Sequence, residues 1–142
     1  MNTDKDKLFD ALLDEPAPGS ERYELNEISE KIIGCAFKVG NTLGCGFLEK
    51  IYENAMAFEL RQTGLFVTQQ HDISVLYAGV VVGKYEADLV VNGRVIVELK
   101  AVRDLNQIHR AQCLNYLRAT GMKLCLLINF GNPRVEVKRI IL

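Results

Sequence analysis

Two carboxylates and an ammonium sit where a hydrophobic hairpin would be expected to bury hydrocarbon. The stretch "YEADLVVNGRVIVELKAV", Tyr85 to Val102, reads as two apolar strands around a turn, with Asp88 in the first strand and Glu98 and Lys100 in the second. Side chains alternate faces along a strand, so Glu86, Asp88 and Val90 share one side, as do Ile96, Glu98 and Lys100. Whether the two sets meet depends on the turn. A two-residue Asn92–Gly93 turn would pair Val91 with Arg94 and send Asp88 and Glu98 to opposite faces. A three-residue loop with Gly93 left-handed, closing on a bulge, pairs Val90 with Arg94 and unites them. The odd-membered loop is the expectation, with Val91, Val95, Val97 and Leu99 on the opposite face against the core.

Two carboxylates on one face with a lysine two residues on are what a hard-cation hydrolase needs. Mg²⁺ takes oxygen ligands, keeps several waters and is commonly held by one or two carboxylates plus a substrate phosphate. Asp88 and Glu98, with the Leu99 carbonyl, are the expected ligands. Such an ion acidifies a bound water and neutralises charge on a phosphate. Lys100 is then placed to orient the water or offset that charge. An isolated D…ExK more commonly marks a solvated sheet face with a lysine–glutamate ion pair, so the rest of the chain has to decide.

The elements around the hairpin follow from periodicity. From Glu24, Ile28, Ile32, Cys35, Ala36, Val39 and Leu43 keep helical spacing up to "GCG" at 44–46. A second helix is expected from about Phe47 to Thr63, closed by Gly64. The period then changes, and Phe66–Tyr77, Val80–Val91 and Arg94–Val102 read as three strands joined by "AG" and "NG" turns. Asp104 is the expected N-cap of a helix running to about Ala119, stopped by Gly121. "KLCLLINF" suits a strand covered on both faces, and "RVEVKRIIL" finishes the chain as another. The expected order is ααβββαββ, an α/β (α+β) fold on a mixed sheet.

Length and composition set the outer bounds. The 142 residues suit one domain; 49% apolar and 25% charged residues are those of an ordinary globular protein. Residues 1–22 hold three Lys/Arg and six Asp/Glu and end in the breaker "EPAPGS", so they read as a flexible tail before a domain spanning 23–142. No apolar run approaches the ~20 residues of a membrane span, and the N-terminus lacks the apolar core of a secretory signal. A cytoplasmic location without membrane association is the expectation. Cys35, Cys45, Cys113 and Cys125 form no CxxC pair and read as free buried thiols. A net charge of −1 argues against strong nonspecific polyanion binding and predicts weak, salt-sensitive contact with nucleic acid.

Three further motifs join the hairpin: "GFLEKIY" (Gly46–Tyr52), a G-x-x-E-x-x-Y element opening the second helix; "AQCLNYLRATG", with Gln112 and Tyr116 at i, i+4; and "LLINFG" at 126–131. With "ADL…ELKAV" they resemble the GxxExxY family, a branch of the PD-(D/E)XK nuclease-like superfamily, over residues from about 25 to 142. The resemblance implies a restriction-endonuclease-like core and a Mg²⁺-dependent nuclease, with Mn²⁺ as a substitute ion and DNA or RNA as partner. It also implies catalytic roles for Glu49, Asp88, Glu98 and Lys100, with Asp88 and Glu98 as metal ligands. Gln112 and Tyr116 would contact phosphate or position Lys100.

Each of these residues has a plainer reading. Glu49 and Glu53 suit a helix N-terminus; Tyr52 reads as a core aromatic with a satisfied hydroxyl; His109 reads as structural. Glu86 adds a third carboxylate near the site. Arg103, Arg110 and Arg118 are candidate phosphate contacts. The competing function is a catalytically weak or inactive module binding nucleic acid or protein on the same fold. A homodimer through the terminal "VEVKRIIL" strand is a further expectation.

Overall fold

A computed structural model describes residues 16–142; residues 1–15, most of the expected tail, lie outside the described residues. Helix α1 spans Glu21–Leu43 and α2 spans Glu49–Gln62. Strands β1 (Val67–Tyr77), β2 (Val80–Val91) and β3 (Val95–Lys100) follow, then α3 (Gln107–Thr120), β4 (Leu124–Asn129) and β5 (Glu136–Ile141). The order is ααβββαββ. The five strands lie in sequence order in one mixed sheet: β1–β2–β3 is an antiparallel meander, β3 and β4 are parallel, and β4–β5 is antiparallel. A parallel pair needs a crossover, and α3 supplies it.

Helix α1 begins earlier than its apolar periodicity. The Ser20 hydroxyl accepts the Tyr23 N–H at 3.2 Å, and Glu21 and Glu24 occupy the first turn. A capped acidic first turn suits the helix dipole and is set by Ser20 and the two glutamates, not by apolar spacing, so periodicity misses it. At the other end Gly44 takes φ +72° and its N–H returns to the Gly40 carbonyl at 2.9 Å. The start of α3 differs from expectation in the other direction. Asn106, not Asp104, is the N-cap: its Oδ1 accepts from the Ile108 and His109 N–H groups, while His109 Nδ1 accepts the Asn106 N–H. His109 is thereby committed to a capping box.

Helices α1 and α2 cover one face of the sheet, where Ile32, Tyr52, Leu60, Val97, Leu99 and Ile128 share a core. Helix α3 covers the other, packing Cys113, Tyr116 and Leu117 on Ile96, Cys125 and Leu127. Strand β4 and most of β3 are buried on both sides, which is why they read as unbroken apolar runs. Cys35, Cys113 and Cys125 are buried as expected, whereas Cys45 is exposed in the α1–α2 link. Beyond the body of the sheet, β1 and β2 run on as a two-stranded arm whose residues from Leu76 to Glu86 are exposed. Among the described residues no helix is long and apolar enough to cross a membrane.

The β2–β3 turn has the expected parity. Val91 pairs with Val95 across Asn92, Gly93 and Arg94, with Asn92 at φ +53° and Gly93 at φ +64°. The expected pairing was Val90 with Arg94; the observed one lies one residue further along each strand and preserves the faces. Leu89, Val91, Val95, Val97 and Leu99 meet α1 and α2, and Val90 and Ile96 meet α3. Asn92 also pins the start of β1, accepting the Phe66 N–H on Oδ1 and donating its own N–H to the Phe66 carbonyl.

Candidate active site

The hydrogen-bonded ladder between β2 and β3 covers only Leu89↔Val97 to Val91↔Val95. Past Leu89 the ladder ends, and Asp88 stands at that point. Its Oδ2 accepts the Leu99 N–H at 2.8 Å, taking the place of a strand partner. The Lys100 carbonyl points toward β4, where it accepts the Phe130 N–H at 2.8 Å. Carbonyls alternate along a strand, so the Leu99 carbonyl points the other way, toward the Asp88 side. A main-chain oxygen and a carboxylate thus flank one opening.

Glu98 comes to the same place from β3. It is 3% exposed and hydrogen-bonded with Asp88. Burial, the bond to Asp88 and the negative charge of Asp88 together push its carboxyl up to about 9, while Tyr116 and Lys100 pull weakly the other way. At neutral pH Glu98 keeps its proton, because a buried carboxyl beside a second carboxyl resists ionising. The Tyr116 hydroxyl donates to the Glu86 carbonyl at 3.3 Å, and burial beside Glu98 and Asp88 drives its own ionisation up. It stays a neutral donor.

Lys100 is half-buried at the end of β3. The chain beyond it is fixed by Asn129, which is fully buried on β4 directly across from Lys100. Asn129 accepts the Val102 N–H at 3.0 Å and the Gly131 N–H at 2.9 Å, and donates to the Val102 carbonyl at 2.8 Å and to Glu136 Oε1 at 3.1 Å. Gly131 passes so close to this loop that a Cβ there would fall 1.9 Å from the Val102 carbonyl oxygen. "LLINFG" therefore has a physical role: it locks the backbone two residues past Lys100.

The helical carboxylate that reaches this region is Glu53. Glu49 is exposed in the first turn of α2 and makes no side-chain hydrogen bond among the described residues. Glu53, one turn on, is 3% exposed and accepts from Lys50 Nζ at 2.9 Å, Gln69 Nε2 at 2.7 Å and Gln70 Nε2. The same Gln70 amide lies 3.3 Å from Asp88 Oδ1. Sequence spacing had offered Glu53 only as a dipole partner; burial and the β1 amides give it this place. Tyr52 is a buried core aromatic. Its hydroxyl donates to the Gly44 carbonyl and accepts the Phe47 N–H at 3.3 Å, and its ring stacks on Phe130 at 4.5 Å.

The remaining candidates divide plainly. Gln112 is half-buried, one turn before Tyr116 on α3. Glu86 is exposed, and among the described residues no three acidic, histidine or cysteine side chains gather to hold an ion. The donor set is therefore two carboxylates. That is enough for Mg²⁺, which keeps waters and takes a substrate oxygen. Arg103, Arg110 and Arg118 are exposed; Arg118 bonds Asn115 at 3.3 Å. A groove of about 630 Å³ lies elsewhere, between α1 and the β4–β5 edge. Its Lys123 is paired with Glu21 and its Arg139 with Asn26 and Ser29, so both of these cations are engaged in the fold.

This arrangement, with carboxylates from adjacent strands converging beside a lysine on a βββαβ core, agrees with the comparison to known families. The family model for the PD-(D/E)XK nuclease superfamily matches residues 26–140. The chain belongs to that superfamily. Nucleases of this kind generally use divalent metal ions. Among solved structures, SSO0001 is similar at a TM-score of 0.51 and 19% identity, covering 96% of this chain and 74% of that one. An alkaline exonuclease from Laribacter hongkongensis, LHK-Exo, is similar at a TM-score of 0.46 and 14% identity, covering 80% of this chain and 81% of that one. The first likeness shows the fold. A comparison with curated proteins finds no match.

Proposed function

We propose that this PD-(D/E)XK protein is a Mg²⁺-dependent nuclease hydrolysing phosphodiester bonds of DNA or RNA, and that it belongs to the GxxExxY branch on the strength of "GFLEKIY" and "LLINFG". One observation carries the reading: Asp88 and the buried Glu98 converge from adjacent strands where the β2–β3 ladder ends. Asp88 and Glu98 would hold Mg²⁺, or Mn²⁺ in its place, with the Leu99 carbonyl beside them. The ion supplies an acidified water and charge neutralisation at the phosphate. Lys100, held by the backbone lock at Asn129, orients that water and offsets the phosphate's negative charge. Tyr116 stays protonated and keeps Glu98 in place; Gln112, on the same helix face, reaches toward the phosphate. We assign the supporting helical carboxylate to Glu53 rather than its exposed neighbour Glu49.

The test is cleavage of labelled single- and double-stranded DNA and RNA with Mg²⁺ or Mn²⁺, comparing wild type with Lys100→Ala. The account expects cleavage by wild type and a loss of about a hundredfold or more in the variant. A second reading, a binding module with little catalysis, is favoured by the β1–β2 arm. Its tip exposes Leu76 (63%) and Tyr77 (75%) beside Val80, Val81 and Val82. Paired as Leu76 with Val81 and Tyr77 with Val80, they put exposed apolar side chains on both faces of the arm, which suits protein contact. Binding of a protein or nucleic acid with or without metal, and no cleavage under either ion, would select that reading.

A further inference from the structure

Gln70 has a backbone that its sequence does not call for. It sits in the middle of β1 at φ +50°, in the left-handed region. Gly, Asn and Asp visit that region readily; a glutamine in a strand does not. The ladder gives no reason for it. Gln69 pairs with Leu89 and His71 with Ala87, so the register is the same on both sides and no inserted residue is being absorbed. The position skipped is the one where Gln70 would face Asp88. Outliers held against their intrinsic preference concentrate where function needs a geometry that the regular element cannot supply.

The side chain shows what that geometry achieves. Its amide nitrogen bridges Glu53 Oε1 and Asp88 Oδ1. Glu53 is a fixed anchor, because Lys50 and Gln69 hold its other oxygen. Asp88 is fixed on its far side by the Leu99 N–H. Gln70 closes the chain from the buried Glu53 of helix α2, through β1, to the carboxylate in the opening.

We propose that Gln70 is a positioning residue of the metal centre, its left-handed backbone presenting the side-chain amide that fixes Asp88 and ties it to Glu53. The inference rests on the metal-centre reading above. It makes Glu53 an anchor acting through Gln70, with no direct hold on the ion. Partners that orient a metal-ligating carboxylate typically contribute about ten- to a hundredfold in metal affinity or activity.

The experiment measures Mn²⁺ affinity by electron paramagnetic resonance and the midpoint of thermal unfolding. It compares wild type, Gln70→Gly, Gln70→Met and Asp88→Ala. Glycine removes the amide and relieves the backbone; methionine removes the amide at similar length and keeps the strain. The expected result is a Mn²⁺ dissociation constant raised about tenfold in both Gln70 variants. The unfolding midpoint should be kept or raised in Gln70→Gly alone. Wild-type affinity in Gln70→Gly overturns the inference. So does affinity lost only in step with folded stability in both variants, since that marks a structural role. If wild type binds no Mn²⁺, or Asp88→Ala binds it equally well, the metal-centre reading itself falls and takes the inference with it.

Discussion

Glu98→Gln separates the charge of the buried carboxyl from its shape. In the folded, metal-free protein Glu98 holds its proton up to about 9, against an ordinary value of 4.5. The folded state therefore binds more protons than the unfolded state between those two values. The sign follows: stability is fully present below the ordinary value and is lost as pH rises toward 9. One proton gives a slope of about 1.4 kcal/mol per pH unit, so wild type should lose about 3 kcal/mol between pH 5 and pH 7 relative to Glu98→Gln. The full window sets a ceiling of about 6 kcal/mol. Urea unfolding of both proteins in EDTA at several pH values reads this directly. Mn²⁺ must displace the same proton, so its affinity for wild type should climb about tenfold per pH unit across that range. Parallel stability curves for the two proteins from pH 5 to pH 8 would refute the reasoning, because Glu98 would then ionise as it does in water.

Gly131→Ala drives a Cβ into the Val102 carbonyl and should destabilise the fold by about 2 kcal/mol or more, with a matching loss of any cleavage as the Lys100 loop shifts; denaturant melts and turnover check it. Tyr52→Phe removes the hydroxyl that joins the Gly44 carbonyl to the Phe47 N–H and should cost about 1 kcal/mol in the same melts. Replacing Leu76 and Tyr77 by Ser leaves the body of the sheet untouched. If the arm tip joins two copies, size-exclusion chromatography of wild type shows a dimer that the double variant loses.

Much of the fold was legible because local physics is visible in the sequence. The shift from helical to alternating period after Gly64 marks the change from α2 to β1, and the doubly buried β4 shows as an apolar run. The meeting of Asp88 and Glu98 could be reasoned from turn parity alone, since Asn92 and Gly93 accept left-handed backbone and an odd loop keeps both carboxylates on one face. Gln70, Glu53 and Asn129 were not legible. Nothing in "VTQQHD" signals a left-handed glutamine, because the conformation is imposed by Glu53 and Asp88, 17 and 18 residues away. Asn129 lies inside an apolar run, and its four hydrogen bonds go to a loop 27 residues earlier and to the turn and strand that follow it. Glu49 and Glu53 differ by one helical turn; only tertiary packing tells which is buried.

The most direct measurement is anomalous diffraction from crystals soaked in Mn²⁺ at pH 8. The account predicts one peak in the opening between β2 and β3, at about 2.1 Å from carboxylate oxygens of both Asp88 and Glu98. A peak on other side chains, or the two carboxyl groups still bonded to each other with no ion between them, would contradict it.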